Sequence, residues 1–174
     1  GSTRLKPKQI LLFDTNIIIE AVRVKCWSAL TTHFHIETVT KCCEEARTGN
    51  RRRSGYVEVN DTHLQPRLTV HAVSEVELAH FDMHELVESF RLDEGERHLW
   101  AHALQRTDEW FACCCDRAAV NVAVRLGWKD RLVALEELVN QAGARTAIKH
   151  LKPQFYKARL SEWVTASVLQ QGLP

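Results

Sequence analysis

Carboxylates at the ends of apolar runs are the residues of this chain best suited to chemistry. The run Gln9-Ile10-Leu11-Leu12-Phe13 stops at Asp14-Thr15-Asn16, and the pattern recurs where Glu109-Trp110-Phe111-Ala112-Cys113-Cys114-Cys115 stops at Asp116. Between them lie Glu44-Glu45 and the group Asp93-Glu94-Gly95-Glu96. Clustered carboxylates without compensating Lys or Arg repel one another and need a cation. Hard oxygen ligands with vacant positions suit Mg²⁺ or Mn²⁺. Such ions generate hydroxide and stabilise phosphoryl charge. A plainer role competes at each position. Asp14, Thr15 and Asn16 are all good helix N-caps, and acidic residues in a helix's first turn are favoured by the helix dipole alone.

For the carboxylates to act together, the elements bearing them must converge. Short apolar runs at 9–13, 33–36, 68–73 and 109–115 read as strands. Helical spacing covers 17–30, 40–47 closed by Gly49-Asn50, 74–90, 93–104 and 117–126 stopped by Gly127. Ser74 and Glu77 form a capping-box pattern at the start of the third of these. Asp130-Arg131 opens a further helix over 132–139 that ends by Gly143, and 152–169 reads as one last helix. This alternation of strands and helices predicts a mostly parallel sheet with helices on both faces. Asp14 and Asp116 then lie at carboxyl ends of strands, where open α/β sheets place ligand chemistry. Glu45 and Glu96 lie on helices reachable from the same edge.

His33 and His35 alternate with Phe34 and read as half-exposed strand residues, with no third ligand nearby in sequence. Residues 51–66 break the pattern and read as an insertion. Its Arg51-Arg52-Arg53 is a solvated loop or, beside a nucleic-acid-cutting site, a set of phosphate contacts.

The chain has 174 residues and a formal net charge of +1. That length predicts one domain, residues 4–174, and the charge means that any nucleic-acid signal must be local. No apolar run approaches a membrane span and no signal peptide is visible. Its six cysteines are Cys26, Cys42, Cys43, Cys113, Cys114 and Cys115. They lack the C-x-x-C pairs of a zinc site and read as small apolar packing residues. The expected compartment is therefore the reducing cytoplasm.

Taken in order, Leu12-Phe13-Asp14-Thr15-Asn16, a helical Glu near 45, Leu92-Asp93-Glu94-Gly95-Glu96 and Cys115-Asp116-Arg117-Ala118-Ala119 resemble a PIN-domain nuclease. The resemblance is to the bacterial branch that includes toxin ribonucleases, and it covers about residues 9–142. It implies a PIN-like three-layer α/β/α fold and Mg²⁺- or Mn²⁺-dependent hydrolysis of phosphodiester bonds in RNA, with single-stranded DNA as the other substrate. Carried over by position, Asp14, Glu45, Glu96 and Asp116 are the catalytic carboxylates, and Asp14, Glu96 and Asp116 hold the metal. Glu45 is preferred to Glu44 for its helical offset from Val39 and Cys42. Asn16 supports Asp14, with Thr15, Glu44 and Asp93 around it. Arg117 joins Arg51, Arg52 and Arg53 as a nucleic-acid contact.

The resemblance further implies an inhibitory antitoxin-like protein or larger defence complex as partner, and a homodimer. The insertion and the helix at 152–169 are longer than a minimal toxin requires, and Asp130 is either a peripheral acidic residue or an N-cap. Two other readings stand beside the nuclease. One is a PIN-like module that binds nucleic acid or protein without cutting. The other is a metal-dependent phosphatase, which needs an Asp-x-Asp pair where position 16 is Asn.

Overall fold

The structure, a computed structural model, describes residues 5–48, 67–84 and 91–172. Among these, four strands form one all-parallel sheet: β1 (Ile10–Phe13), β2 (His35–Val39), β3 (Thr69–His71) and β4 (Phe111–Cys113), in the order β3-β2-β1-β4. The architecture is α/β, with helices on both sheet faces, as the alternation predicts.

Strand β1 is continuous in its apolar character because it is covered on both sides. Leu11 and Phe13 enter one core with Ile17, Ile18, Leu30, Phe34 and Leu135. Leu12 enters the other with Val39, Phe81, Leu99, Trp100, Trp110 and Val120. Full burial of each such side chain stabilises by about 1.5–3 kcal/mol. The first face is covered by α1 (Thr15–Arg23), α2 (Trp27–His33) and α7 (Leu135–Gln141). The second is covered by α4 (Glu75–His84), α5 (Glu94–Leu104), α6 (Arg117–Arg125) and α8 (Lys157–Gln171). Helix α3 (Thr40–Thr48) joins the two, with Cys43 and Ala46 in one core and Cys42 in the other.

The strand order contains a reversal. From β1 the chain steps to β2 and β3, then returns across β1 to β4. The crevice at the carboxyl ends of β1 and β4 is therefore the topological switch point, the usual ligand position of an open α/β sheet. Asp14 follows β1 directly, and the register Phe13↔Cys113 brings the end of β4 beside it.

Several boundaries differ from the sequence reading. The helix expected over 17–30 is two helices, broken at Lys25, which has φ of 62°. Strand β2 starts at His35, and His33 closes α2. Strands β3 and β4 are three residues each, shorter than expected. Residues 132–134 are not helical: Val133 N–H donates to Ala112 O at 3.0 Å, and Leu132 bridges Ala112, so this segment lies extended along β4. The C-terminal part is not one helix. Short 3₁₀ turns at Arg145–His150 and Pro153–Phe155 precede α8, because Pro153 cannot continue a helix from its N-terminal side. Helix α4 is described to His84, and its expected extension to Phe90 lies outside the described residues. So do the Gly49-Asn50 stop, the insertion at 51–66 and its Arg51, Arg52 and Arg53. The Ser74–Glu77 capping box is present, with Glu77 N–H donating to Ser74 Oγ at 3.1 Å. All six cysteines are buried and free.

A clamp fastens the segment before α8. Buried Glu20 accepts from Arg23 at 2.6 and 2.8 Å and from Lys152 N–H at 2.8 Å. Arg23 donates onward to His150 O at 2.7 Å. Among the described residues, no helix is long and apolar enough to cross a membrane.

Candidate active site at the carboxyl ends of the central strands

Three helices begin around the switch point, and each is capped by one of the expected carboxylates. Asp14 caps α1, with Oδ1 accepting from Ile17 N–H at 3.0 Å. Asp93 caps α5, accepting from Glu96 N–H at 2.8 Å. Asp116 caps α6, accepting from Ala118 N–H at 2.8 Å and Ala119 N–H at 3.3 Å. The capping role weighed against catalysis is therefore real at Asp14 and Asp116. Capping engages one oxygen of each, however, and the second oxygen of Asp14 is left over. Asp14 Oδ2 is buried and has no hydrogen-bond partner. A capping residue on a helix surface would present that oxygen to water. Here it is enclosed, and a buried polar atom without a partner is costly.

Electrostatics identify the neighbours of that oxygen. Burial pushes the Asp14 carboxyl up to about 7; the Ile17 N–H opposes the rise, and the charges of Asp93 and Asp116 add to it. Burial also pushes Glu96 up to about 10, reinforced by Asp14, Asp116 and Asp93. Glu45 is raised by burial and then by Asp93, with a hydrogen bond from Thr15 and the charge of Lys41 among the opposing influences. Asp14, Glu96, Asp93 and Asp116 thus share one field, and none of the principal influences on Asp14 or Glu96 is a cation. Lys41 is the basic residue the sequence reading overlooked, and it acts on Glu45.

Glu45 approaches from α3. Its Oε2 accepts from Thr15 Oγ1 at 3.2 Å. Gly95 makes the approach feasible, since a Cβ at that position would lie 2.8 Å from Glu45 Oε2 and 2.9 Å from Thr15 Oγ1. The glycine before Glu96 therefore opens space for Glu45, which spacing alone does not reveal. Glu44 points elsewhere: it is exposed, with Lys41 at 4.0 Å. Asn16 contributes a backbone hydrogen bond that stabilises ionised Asp14. Arg117 is exposed immediately after Asp116. Asp130 lies in a 3₁₀ turn, is exposed, and lines a cleft with Lys129, Glu137 and Lys157.

The donor set suits a divalent cation: all-oxygen, anionic, partly buried, with one oxygen already unsatisfied. The residues that would hold it, on the sequence expectation, are Asp14, Glu96 and Asp116. They do not converge as tightly as a closed three-ligand site. Among the described residues, three candidate ligand atoms from different side chains lie within 4.8 Å of one another only at Glu37, His71 and His102. That second cluster is not legible in the sequence pattern, in which His33 and His35 have no third ligand nearby. It sits at the sheet edge. Burial works against ionisation of Glu37, but hydrogen bonds from Arg106 and His71 outweigh it and hold the carboxyl below its usual range. Burial, then His71 and Arg106, push His102 down to about 4.

Comparison with family models, curated proteins and solved structures gave no match.

Proposed function

We propose that this chain is a Mg²⁺- or Mn²⁺-dependent nuclease of PIN type that hydrolyses phosphodiester bonds in RNA. The observation that carries the proposal is Asp14. Its carboxyl is enclosed at the switch point with one oxygen unpartnered, in the field of three further carboxylates. A cap needs only one oxygen, and Asn caps a helix about as well; the helix dipole favours an acid there but does not account for enclosing its second oxygen without a partner.

When bound, the divalent ion supplies a water of lowered pKa and neutralises charge on the scissile phosphate. The chain's own residues do the rest. Asp14, Glu96 and Asp116 hold the ion. Thr15 and the Asn16 backbone orient Glu45 and Asp14, and Gly95 lets Glu45 come close. Glu45 is less buried than Glu96, and in this reading it would accept a proton from the attacking water. Arg117 stands exposed beside the site to meet phosphate, and the Arg51-Arg52-Arg53 run, which lies outside the described residues, would add phosphate contacts.

A second reading has one observation in its favour. The acidic side chains do not close to the 4.8 Å spacing of the edge cluster, as suits a PIN-like module that binds RNA or a protein partner without cutting. One assay separates the two. The protein is incubated with a panel of RNAs and single-stranded DNAs, with Mn²⁺ and with excess chelator. Cleavage that needs Mn²⁺ and disappears in Asp116→Asn supports the nuclease. Cleavage undiminished by chelator or by the substitution refutes it, and binding without cleavage selects the second reading. The same panel tests RNA against DNA, and mass measurement in solution tests the homodimer.

A further inference from the structure

The edge cluster is separate from the carboxylate crevice in both position and chemistry. It gathers side chains from three elements: Glu37 from β2, His71 from β3 and His102 from the last turn of α5. The register Val39↔His71 puts the two strands side by side, and residues 35, 37 and 39 share one face of β2. Glu37 is buried, whereas His71 and His102 are partly open to solvent, so the cluster is both held and reachable. The two imidazole rings stack at 4.2 Å between centroids.

Arg106 occupies the centre. Its Nη1 donates to Glu37 Oε1 at 2.9 Å and to His102 Nε2 at 3.0 Å. A guanidinium only donates, so His102 must present a lone pair at Nε2, the form in which imidazole binds metals. His71 Nε2 donates to the same carboxylate oxygen. The other oxygen, Oε2, has His35 Nε2 at 3.1 Å, which steadies the carboxylate. A positively charged nitrogen therefore already bridges a carboxylate oxygen and an imidazole lone pair, with a second imidazole nitrogen alongside. Arg106 has another partner to retain, since Asp108 takes its Nε at 2.9 Å and its Nη2 at 2.7 Å.

We propose that Glu37, His71 and His102 form a transition-metal site of Zn²⁺ class, at which Arg106 Nη1 is the resident cation that the ion displaces. Two nitrogens and one carboxylate oxygen select Zn²⁺, and Co²⁺ as its probe, over the hard ions suited to the Asp14 crevice. Ligands about 2.0–2.1 Å from tetrahedral zinc stand roughly 3.3–3.5 Å apart. The three atoms already lie within 4.8 Å of one another, and to reach that spacing one imidazole turns out of the stack so that both ring planes meet at the ion. Binding needs the lone pair of His71 Nε2, so the proton there moves to Nδ1 in the neutral ring, or is released to solvent from the imidazolium. A fourth position stays open to water. The ion ties edge strand β3 to β2 and to the end of α5, the helix whose first turn carries Glu96.

The test uses the full chain carrying Asp14→Asn, which weakens the acidic crevice as a competing site. Co²⁺ is titrated and its visible d–d absorption recorded. The expected result is one Co²⁺ per chain in a four-coordinate nitrogen/oxygen spectrum, displaced by Zn²⁺. Affinity should fall by about tenfold or more in His71→Ala and in His102→Ala, and it should rise in Arg106→Gln. Absence of d–d bands, or bands unchanged in both histidine variants, overturns the site. Equal or weaker Co²⁺ affinity in Arg106→Gln overturns the displacement of the resident cation. Because these variants can lose fold, Zn²⁺ is also titrated into the otherwise unsubstituted Asp14→Asn chain while its histidine ring nitrogens are followed by NMR. Shifts at His71 and His102 are expected, and shifts confined to other histidines overturn the proposal.

Discussion

Replacing Asp14 by Asn separates what the carboxylate does for chemistry from what it does for the fold. Asn is isosteric and keeps the cap on Ile17 N–H, while its amide can donate to the carboxylates nearby. The wild-type carboxyl is raised from its ordinary 3.8 to about 7. Folding thus raises its proton affinity, and between those pH values the native state holds more protons than the unfolded one. Stability contributed by the protonated carboxyl is complete below about 3.8 and is lost as pH rises through about 7. At about 1.4 kcal/mol per pH unit, the ceiling is about 4 kcal/mol above pH 7, reduced to a few kcal/mol where neighbouring carboxyls share the proton. Denaturant unfolding in chelator, at pH 5 and pH 8, should therefore show wild type losing stability with pH more steeply than Asp14→Asn. At pH 8 the variant should be the more stable protein. Mn²⁺ at a hundred times its dissociation constant should restore about 2.7 kcal/mol to wild type and much less to the variant. A variant less stable than wild type at pH 8 in chelator, with an unchanged pH slope, would refute the crowded-carboxylate account and leave Asp14 a cap alone.

Gly95→Ala should displace Glu45, whose Oε2 lies 2.8 Å from the new Cβ. Cleavage should fall at least about tenfold while the melting temperature moves only by the roughly 2–4 °C expected for about 1 kcal/mol; a far-UV melt beside a cleavage assay checks both. Glu20→Ala strands Arg23 and the Lys152 amide and should cost about 3 kcal/mol in denaturant unfolding, with metal affinity unchanged. Changing Arg51, Arg52 and Arg53 together to Ala should weaken RNA binding and flatten the slope of log affinity against log salt by up to about 2, at roughly 0.7 for each of three single-strand phosphate contacts. An unchanged slope in fluorescence-anisotropy titrations shows that run to be merely solvated.

The legible parts of this fold are those written in contiguous residues. An apolar run covered on both faces, ending in Asp14, marks β1 and the start of α1 without help from the rest of the chain. The alternation of elements gives the parallel sheet, and the repeated run-then-Asp pattern places Asp116 correctly before α6. Three features were illegible for physical reasons. The break between α1 and α2 depends on a lysine with positive φ, a conformation that Lys25 does not advertise. Residues 132–134 have helical spacing but are drawn extended by Ala112, a partner about twenty residues away in sequence. The Glu37–His71–His102 cluster depends on the β2–β3 register and on where α5 ends. The role of Gly95 is similar, because a missing Cβ means something only when Glu45 and Thr15 are seen against it.

The most direct measurement is Mn²⁺ binding followed by electron paramagnetic resonance, with single-stranded RNA cleavage assayed in the same samples. The account predicts that bound Mn²⁺ and cleavage rate rise together in wild type. Both should be lost in Asp14→Asn and in Asp116→Asn, and kept in Asp130→Asn, whose side chain lies outside the crevice. Cleavage that persists in Asp14→Asn, or that proceeds with no Mn²⁺ or Mg²⁺ bound, would contradict it.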